Sequence, residues 1–424
     1  MPQDLPDALE PTAPFAGSFG LPERGMTQRW LDGRDLAPEL STELLEVIRR
    51  SFNDDVSWFR LPVSPADHFA WKFRDRPTGV TLSISFDEDG HPFGFAGNVR
   101  RVWTLRGRPY VARSGYDICR LPEWQGRGLH RLLTEFQGRD WHPSEDFSFG
   151  YSTHPATRKL SIERGDRAPA NETHDYIRHL GVRPIERTRA LLDGLRGAFG
   201  SRRAEVDPTV NAGVSLSQTT QVIRADEDSR GSRLRDAASR AALFARAQLA
   251  RRPATPTGNL TLKTIDRFEE AYQPFIQRAL APFEFAGERS TAYLNWRFCD
   301  ERGGPFTVRL ATRDGEAVGY AVTRVLDDGS QLADILVVPG QRPAAEVLVR
   351  DAIDLARAGG APFITTRLPR HHPYTGALRR TAFVDVGAVA GELISLRRTG
   401  EADVAFLARP NARIHHVLAD SDDV

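Results

Sequence analysis

The chain has 424 residues, 40% of them hydrophobic, with a formal net charge of +1 and two cysteines, Cys119 and Cys299. Length alone implies two or three domains. The near-neutral charge gives no reason to expect nucleic acid or an anionic membrane as partner. Two cysteines make neither a disulfide framework nor a zinc site, and no apolar run is long enough to span a bilayer.

In chain order, residues 1–27 are rich in proline, glycine and acid and lack the basic start and apolar core of a signal peptide. They read as a disordered leader of a cytoplasmic protein. The segment that follows reads as a short strand and then a helix, with Leu40, Leu44, Leu45, Val47 and Ile48 at helical spacing. A second short helix starts at "SPADHF", where Ser64 is the N-cap and proline sits just inside. Alternating strands then run from Val80 to Arg120, joined by Gly-rich and Asp-rich turns. "RLPEWQGRG" follows, leading into the helix "LHRLLTEFQGRDW" and the strand "DFSFGYST". The closing helix and strand of this first unit read best as "HDYIRHLG" and the residues after it, with "RGDRAPANETHD" as an insertion near the acceptor cleft. Residues 194–257 resemble a linker that contains an Ala- and Arg-rich helix.

The second half repeats the first. "HFAWKF" matches "YLNWRF", and one spacing separates both Trp71 from Trp296 and Gly94 from Gly319. A second spacing, eight residues shorter, separates Asp117 from Asp334 and Pro122 from Pro339. Two internally consistent spacings in the same order indicate a duplicated unit whose first copy has the longer hairpin.

The stretch Gln125 to His130 carries the chemistry. A glycine-flanked turn from strand to helix bares backbone N–H groups and aims a helix N-terminus at one point, and both attract phosphate oxygens. It is neither a P-loop nor a dinucleotide fingerprint, because the spacing of glycines differs. With the strand "YDICRLPEW" before it, the stretch resembles the acyl-CoA-binding motif of the GNAT superfamily of N-acyltransferases, Gln/Arg-x-x-Gly-x-Gly/Ala. The resemblance covers strand order over residues 28–192 and again over 259–398.

The fold it implies is α/β (α+β), with tandem GNAT-like domains, each a mixed, mostly antiparallel central sheet flanked by helices. The expected layout is a leader (1–27), a catalytic domain (28–193), a linker (194–257), a degenerate second domain (258–398) and a C-terminal tail (399–424). The resemblance further implies that backbone donors of Gln125, Gly126, Arg127, Gly128, Leu129 and His130 hold the pyrophosphate of acetyl-CoA. Main-chain groups of Ile118, Cys119 and Leu121 would pair with its pantetheine arm, and no metal is required. His130 departs from the small residue of the family motif. In the second copy the loop from Gly340 to Ala345 has lost the glycine pair and gained Pro343, which removes a donor.

An amine with a pKa near 10.4 is neutral in only about one molecule in a thousand at pH 7, so a general base is expected. Asp117 stands on the central strand and reads as a base, but its counterpart Asp334 persists in the copy that lost its cradle, which favours a shared structural role such as bonding a backbone N–H. The same logic makes Trp71 and Trp296 core anchors. Tyr151, Ser152 and His154 follow the next strand. Tyr151 is a proton donor for the departing thiolate, and Tyr176 is a weaker one. His154 is a base, or else a turn histidine before Pro155. Cys119 reads as a buried strand residue rather than an acyl carrier. The function expected is direct acetyl transfer to a primary amine on a small molecule or peptide. The second domain would shape the acceptor cleft or a homo-oligomer contact. A non-catalytic acyl-CoA-binding or interaction module is the alternative.

Overall fold

The computed structural model describes residues 17–21, 25–54, 56–125, 145–151, 169–180, 259–326, 329–388, 392–396 and 405–421. The helix expected after Leu129 and the linker lie outside them. The first half contributes β1 (Gly17–Leu21), β2 (Met26–Asp32), α1 (Pro38–Ser51), α2 (Pro65–Phe69), β3 (Val80–Asp87), β4 (Pro92–Leu105), β5 (Arg108–Arg120), β6 (Phe147–Tyr151) and β7 (Thr173–His179). The second half contributes β8 (Leu260–Ile265), α3 (Gln273–Leu280), β9 (Phe285–Gly287), α4 (Thr291–Leu294), β10 (Phe306–Arg313), β11 (Glu316–Leu326), β12 (Gly329–Val337), α5 (Arg342–Ala358), β13 (Phe363–Pro369), α6 (Thr375–Arg380), β14 (Val384–Ala388), β15 (Glu392–Leu396), β16 (Ile414–His415) and α7 (Leu418–Ser421).

These strands form two mixed, mostly antiparallel sheets with helices against them. The first runs β1-β2-β3-β4-β5-β6-β15, with β9 on β4 and β16 on β9; the second runs β14-β7-β13-β12-β11-β10-β8. In each sheet a parallel pair, β5 with β6 and β12 with β13, sits beside an antiparallel meander, and the first sheet has a second parallel pair, β9 with β16. The α2 start is as read: Ser64 Oγ accepts from Asp67 N–H at 3.1 Å, which satisfies one of the orphan donors of the first turn.

Three segments depart from the sequence reading. Gly17–Leu21, placed in a disordered leader, is a strand whose register with β2 runs from Gly17 opposite Trp30 to Leu21 opposite Met26. "THDYIRH", read in part as a helix of the first unit, is β7, and it lies in the second sheet between β13 and β14. Its β-favouring Thr, Tyr and Ile are buried on both faces, which suits a central strand with no one-sided alternation to reveal it. Conversely β15 leaves the second half to pair with β6 in the first sheet. Each half thus lends a strand to the other. Residues 405–421, expected as a tail, pack into the interior, with Phe406, Ile414, Val417 and Leu418 all buried.

The seam between the sheets is built from matched parts. After α2 and α4 the chain makes a π-helical turn, Ala70–Arg74 in one half and Asn295–Cys299 in the other. Trp71 and Trp296 project from these turns and stack with centroids 4.7 Å apart and planes 14° from parallel. Trp71 Nε1 donates to Trp296 O at 2.9 Å and Trp296 Nε1 to Trp71 O at 3.3 Å. Neither indole is therefore buried with an idle donor. The β4–β5 hairpin is eight residues longer than β11–β12 between the paired positions Gly94–Arg120 and Gly319–Val337. Its extra length pairs with β9 at Trp103, Thr104 and Leu105, and a core cluster of Trp103, Phe147, Phe149, Phe285, Phe406 and Ile414 fills the seam there.

Two buried polar clusters tie in the C-terminal residues. Asp420 accepts from Arg101 Nη2 at 2.7 Å and from Arg289 Nη2 at 2.7 Å. Burial alone would raise its carboxyl, but the two guanidiniums outweigh that and hold it well below the carboxylate range. His372 Nε2 and His415 Nδ1 lie 3.1 Å apart.

Burial holds His68 and His372 neutral down to about 3, with the Lys72 charge adding to the effect at His68, and pushes His415 well below the usual imidazole range. An unfolded histidine titrates near 6.5. Below that value the unfolded chain takes up protons that the fold refuses, so stability is complete above about pH 6.5 and lost as pH falls, by up to about 1.4 kcal/mol per pH unit for each histidine. Thermal melting is expected to be level from about pH 8 to 7 and to decline steeply toward about pH 5. A melting temperature that holds down to pH 5 would contradict three neutral buried histidines.

Candidate functional site

The site is built on β5. Against β4, Phe95 opposes Cys119 and Gly97 opposes Tyr116, so Asp117 and Ile118 together face the single residue Ala96. This bulge puts Asp117 at φ +48°, in the left-handed region that Asp tolerates better than most residues. Gly97 lets the π-helical turn approach: a Cβ there would lie 2.2 Å from Phe73 Cε1. The close approach brings Lys72 under the bulge, where Nζ donates to Asp117 Oδ2 at 2.9 Å. The Lys72 side chain is 1% exposed and that of Asp117 17%.

On its other edge β5 pairs, among the described residues, only near its start. Its parallel register with β6 comprises Ala112 opposite Phe147 and Arg113 opposite Ser148, extended by Ser114 Oγ donating to Phe149 O at 2.6 Å. β15 pairs with the other edge of β6 along its whole length, from Leu396 opposite Phe147 to Glu392 opposite Tyr151. Among the described residues no strand pairs with Tyr116 to Arg120 on that edge of β5. Ile118, 50% exposed, stands at the opening. The strand ends where Leu121 N–H donates to Phe93 O at 2.9 Å, and the Pro122–Trp124 turn stacks Trp124 on Phe93 with centroids 3.8 Å apart. Gln125 follows, its Nε2 donating to Arg120 O at 3.2 Å.

The expected donor residues Ile118, Cys119, Leu121 and Gln125 therefore lie in sequence along β5 and its exit turn, with Cys119 opposite Phe95 and the Leu121 N–H already donated to Phe93 O on the β4 side. Gly126, Arg127, Gly128, Leu129 and His130 lie outside the described residues, as do Ser152 and His154. Tyr151 lies on β6 opposite Glu392 of β15, and its side chain lies outside the description. Tyr176 is elsewhere: it sits on β7 in the second sheet, fully buried, its phenol pushed up to about 12 by burial. It is no donor for a thiolate at β5.

Asp117 and Asp334 both turn out to be charge-paired. Asp334 lies 2.8 Å from Arg289 Nε and accepts from Tyr320 Oη at 3.0 Å. The sequence reading anticipated a backbone donor for each and missed Lys72. A signal existed: Lys72 is one of three lysines in a chain with 57 basic residues, and it stands in the repeated "AWKF" motif.

On the matching edge of the second sheet, Tyr374 takes up the backbone. Val337 N–H donates to Tyr374 Oη at 2.7 Å, and that hydroxyl donates to Val337 O at 2.9 Å. Val337 holds the position opposite Gly319 that Arg120 holds opposite Gly94.

No family model and no curated protein matches the chain. Among solved structures it is similar to a probable N-acyltransferase from Enterococcus faecalis, at 10% identity and a TM-score of 0.48 over 88% of this chain and 73% of that one. It is similar to Saccharomyces cerevisiae N-myristoyltransferase with bound myristoyl-CoA, at 11% identity and a TM-score of 0.49 over 88% and 82%. A GCN5-related N-acetyltransferase from Anabaena variabilis gives 10% identity and a TM-score of 0.49 over 90% and 75%. Among the described residues no helix is long and apolar enough to cross a membrane, and no cluster of three or more His, Cys, Asp or Glu could hold a metal.

Cys119 is buried, and burial pushes its thiol up to about 12. A thiol so protonated is a poor nucleophile, in keeping with its reading as a strand residue. Native protein treated with a maleimide at pH 8 should leave Cys119 unlabelled by mass spectrometry; fast labelling would contradict the packing of β5 against α1.

Proposed function

We propose that the chain is an acyl-CoA-dependent N-acyltransferase with one donor site, in its N-terminal half, and that acetyl-CoA is the donor. The observation that carries this reading is the open edge of β5 running straight into the Gln125–His130 stretch. A pantetheine arm has two amides. Laid along β5, they satisfy the main chain near Ile118, while the glycine-containing sequence from Gln125 to His130 suits the pyrophosphate.

The chemistry is direct transfer. The neutral amine attacks the thioester carbonyl, the C–S bond breaks, and the thiolate leaves with a proton. Tyr151, on β6, is the proton donor in this reading, and His154 is the base that takes the proton from the amine. Asp117 is engaged by Lys72 and serves the scaffold. The acceptor is a primary amine on a small molecule or peptide.

The second half is a degenerate copy. Its support is the matched π-helical turns, the stacked tryptophans, the equal roles of Gly94–Arg120 and Gly319–Val337, and the same parallel pair in each sheet. Its loop has Pro343 in place of the glycines, and Tyr374 covers the edge where a pantetheine would lie.

Incubation with acetyl-CoA and a panel of amines should release free thiol at a rate that depends on the amine. Calorimetry should give one acetyl-CoA per chain, and Gly128→Asp, which sets a carboxylate beside the pyrophosphate, should abolish that binding with melting unchanged. Binding without thiol release would make the chain a carrier or sensor of acyl-CoA, and a stoichiometry of two would contradict the reading of the second half.

A further inference from the structure

The bulge at Asp117 needs a cause. A residue other than glycine at φ +48° in mid-strand is strained, and such strain persists only where the surroundings impose it. The surroundings here are specific. Lys72 is all but fully enclosed, with its ammonium 5.9 Å from the Trp58 ring centroid, 5.5 Å from Phe73 and 5.6 Å from Tyr116. Aromatic faces stabilise a cation but do not replace a counter-ion, and Asp117 is the carboxylate within reach at 2.9 Å. Taking that carboxylate away would leave a buried unpaired charge. The pair therefore pulls the Asp117 backbone into the left-handed conformation.

The second half lacks this arrangement. Arg297, in the place of Lys72, lies over the Trp71, Phe298 and Phe306 rings instead. Asp334 is held by Arg289 from another segment. The extra residue of β12 is Ala333, between the pairings of Leu332 and Asp334, and neither Ala333 nor Asp334 has a positive φ. The half with the open edge is the half with the lysine clamp.

We propose that Lys72 is a positioning residue of the donor site: by clamping Asp117 it fixes the bulge that turns the Ile118 main chain outward to meet the amides of an acyl-CoA. This rests on the reading of β5 as the donor site. Lys72 touches no substrate; it acts through Asp117.

The test compares wild type with Lys72→Met and with the double variant Lys72→Met/Asp117→Asn. The double variant leaves no unpaired charge and keeps a residue type at 117 that tolerates positive φ, so it folds even where the single variant does not. Coenzyme A itself is the probe, titrated by calorimetry well below the melting temperature. Coupled contacts of this kind are worth about tenfold in affinity, so the dissociation constant of the double variant should rise by about that factor while melting stays near wild type. Native-state amide exchange at Ile118 and Cys119 in the free protein should speed up as well. Undiminished affinity in the double variant, with or without a lower melting temperature, would overturn the role of Lys72. Wild-type protein that binds no coenzyme A would instead overturn the donor site on which the proposal rests.

Discussion

The site depends on β5 being paired along its whole length with β4 and, among the described residues, only near its start with β6. A backbone N–H or C=O withdrawn from both water and partner costs free energy of the order of a lost hydrogen bond. A central strand with an unpaired stretch must therefore meet water, a side chain or a ligand there. The two sheets answer that constraint differently. On β12 the Tyr374 hydroxyl serves both polar groups of Val337. On β5 no strand among the described residues pairs with Ile118 to Arg120 on the edge away from β4, the Gln125 side chain donates to the Arg120 carbonyl, and the chain exits through a proline turn. The same parallel pair thus gives a closed edge in one half and an open one in the other.

That open edge is affordable because the rest of the molecule is tightly committed. The halves exchange β7 and β15, so neither sheet is complete without the other half. The reciprocal tryptophans fix the seam, and Asp420 links Arg101 of the first sheet to Arg289, which lies against Asp334 of the second. Buried ion pairs of this kind add little net stability over apolar packing, but breaking one leaves a stranded charge at a cost of about 3–5 kcal/mol. Their effect is to make one arrangement of the two sheets far better than any slipped alternative.

Much of this was legible in the chain itself. Two spacings that differ by eight residues foretold both the repeat of "AWKF" in "NWRF" and the longer first hairpin, because paired glycines and prolines mark strand ends whatever the surface does. β2, α1, α2 and the strands from Val80 to Arg120 showed in their periodicity. β7 did not, because a strand buried on both faces loses the alternation that marks it, and which sheet it joins is decided by contacts far away in sequence. β1 and residues 405–421 were hidden for a related reason: a short segment with no clear periodicity looks unstructured until a partner strand or a buried arginine is in place. At the site, the sequence showed Asp117 as a paired carboxylate but not its partner, since Lys72 meets it only after the π-helical turn and Gly97 close the distance. Tyr176 was misplaced along with its strand.

The central claim is that the main chain of β5 is the surface on which an acyl-CoA lies. Amide hydrogen exchange with and without saturating acetyl-CoA tests it most directly, because it reads the backbone groups themselves. Strong protection should appear over residues 116–128 on binding, with residues 332–345 of the second half unchanged. Acetyl-CoA binding that leaves the exchange of Ile118, Cys119 and Leu121 unaltered, or that protects the second half instead, would contradict the account.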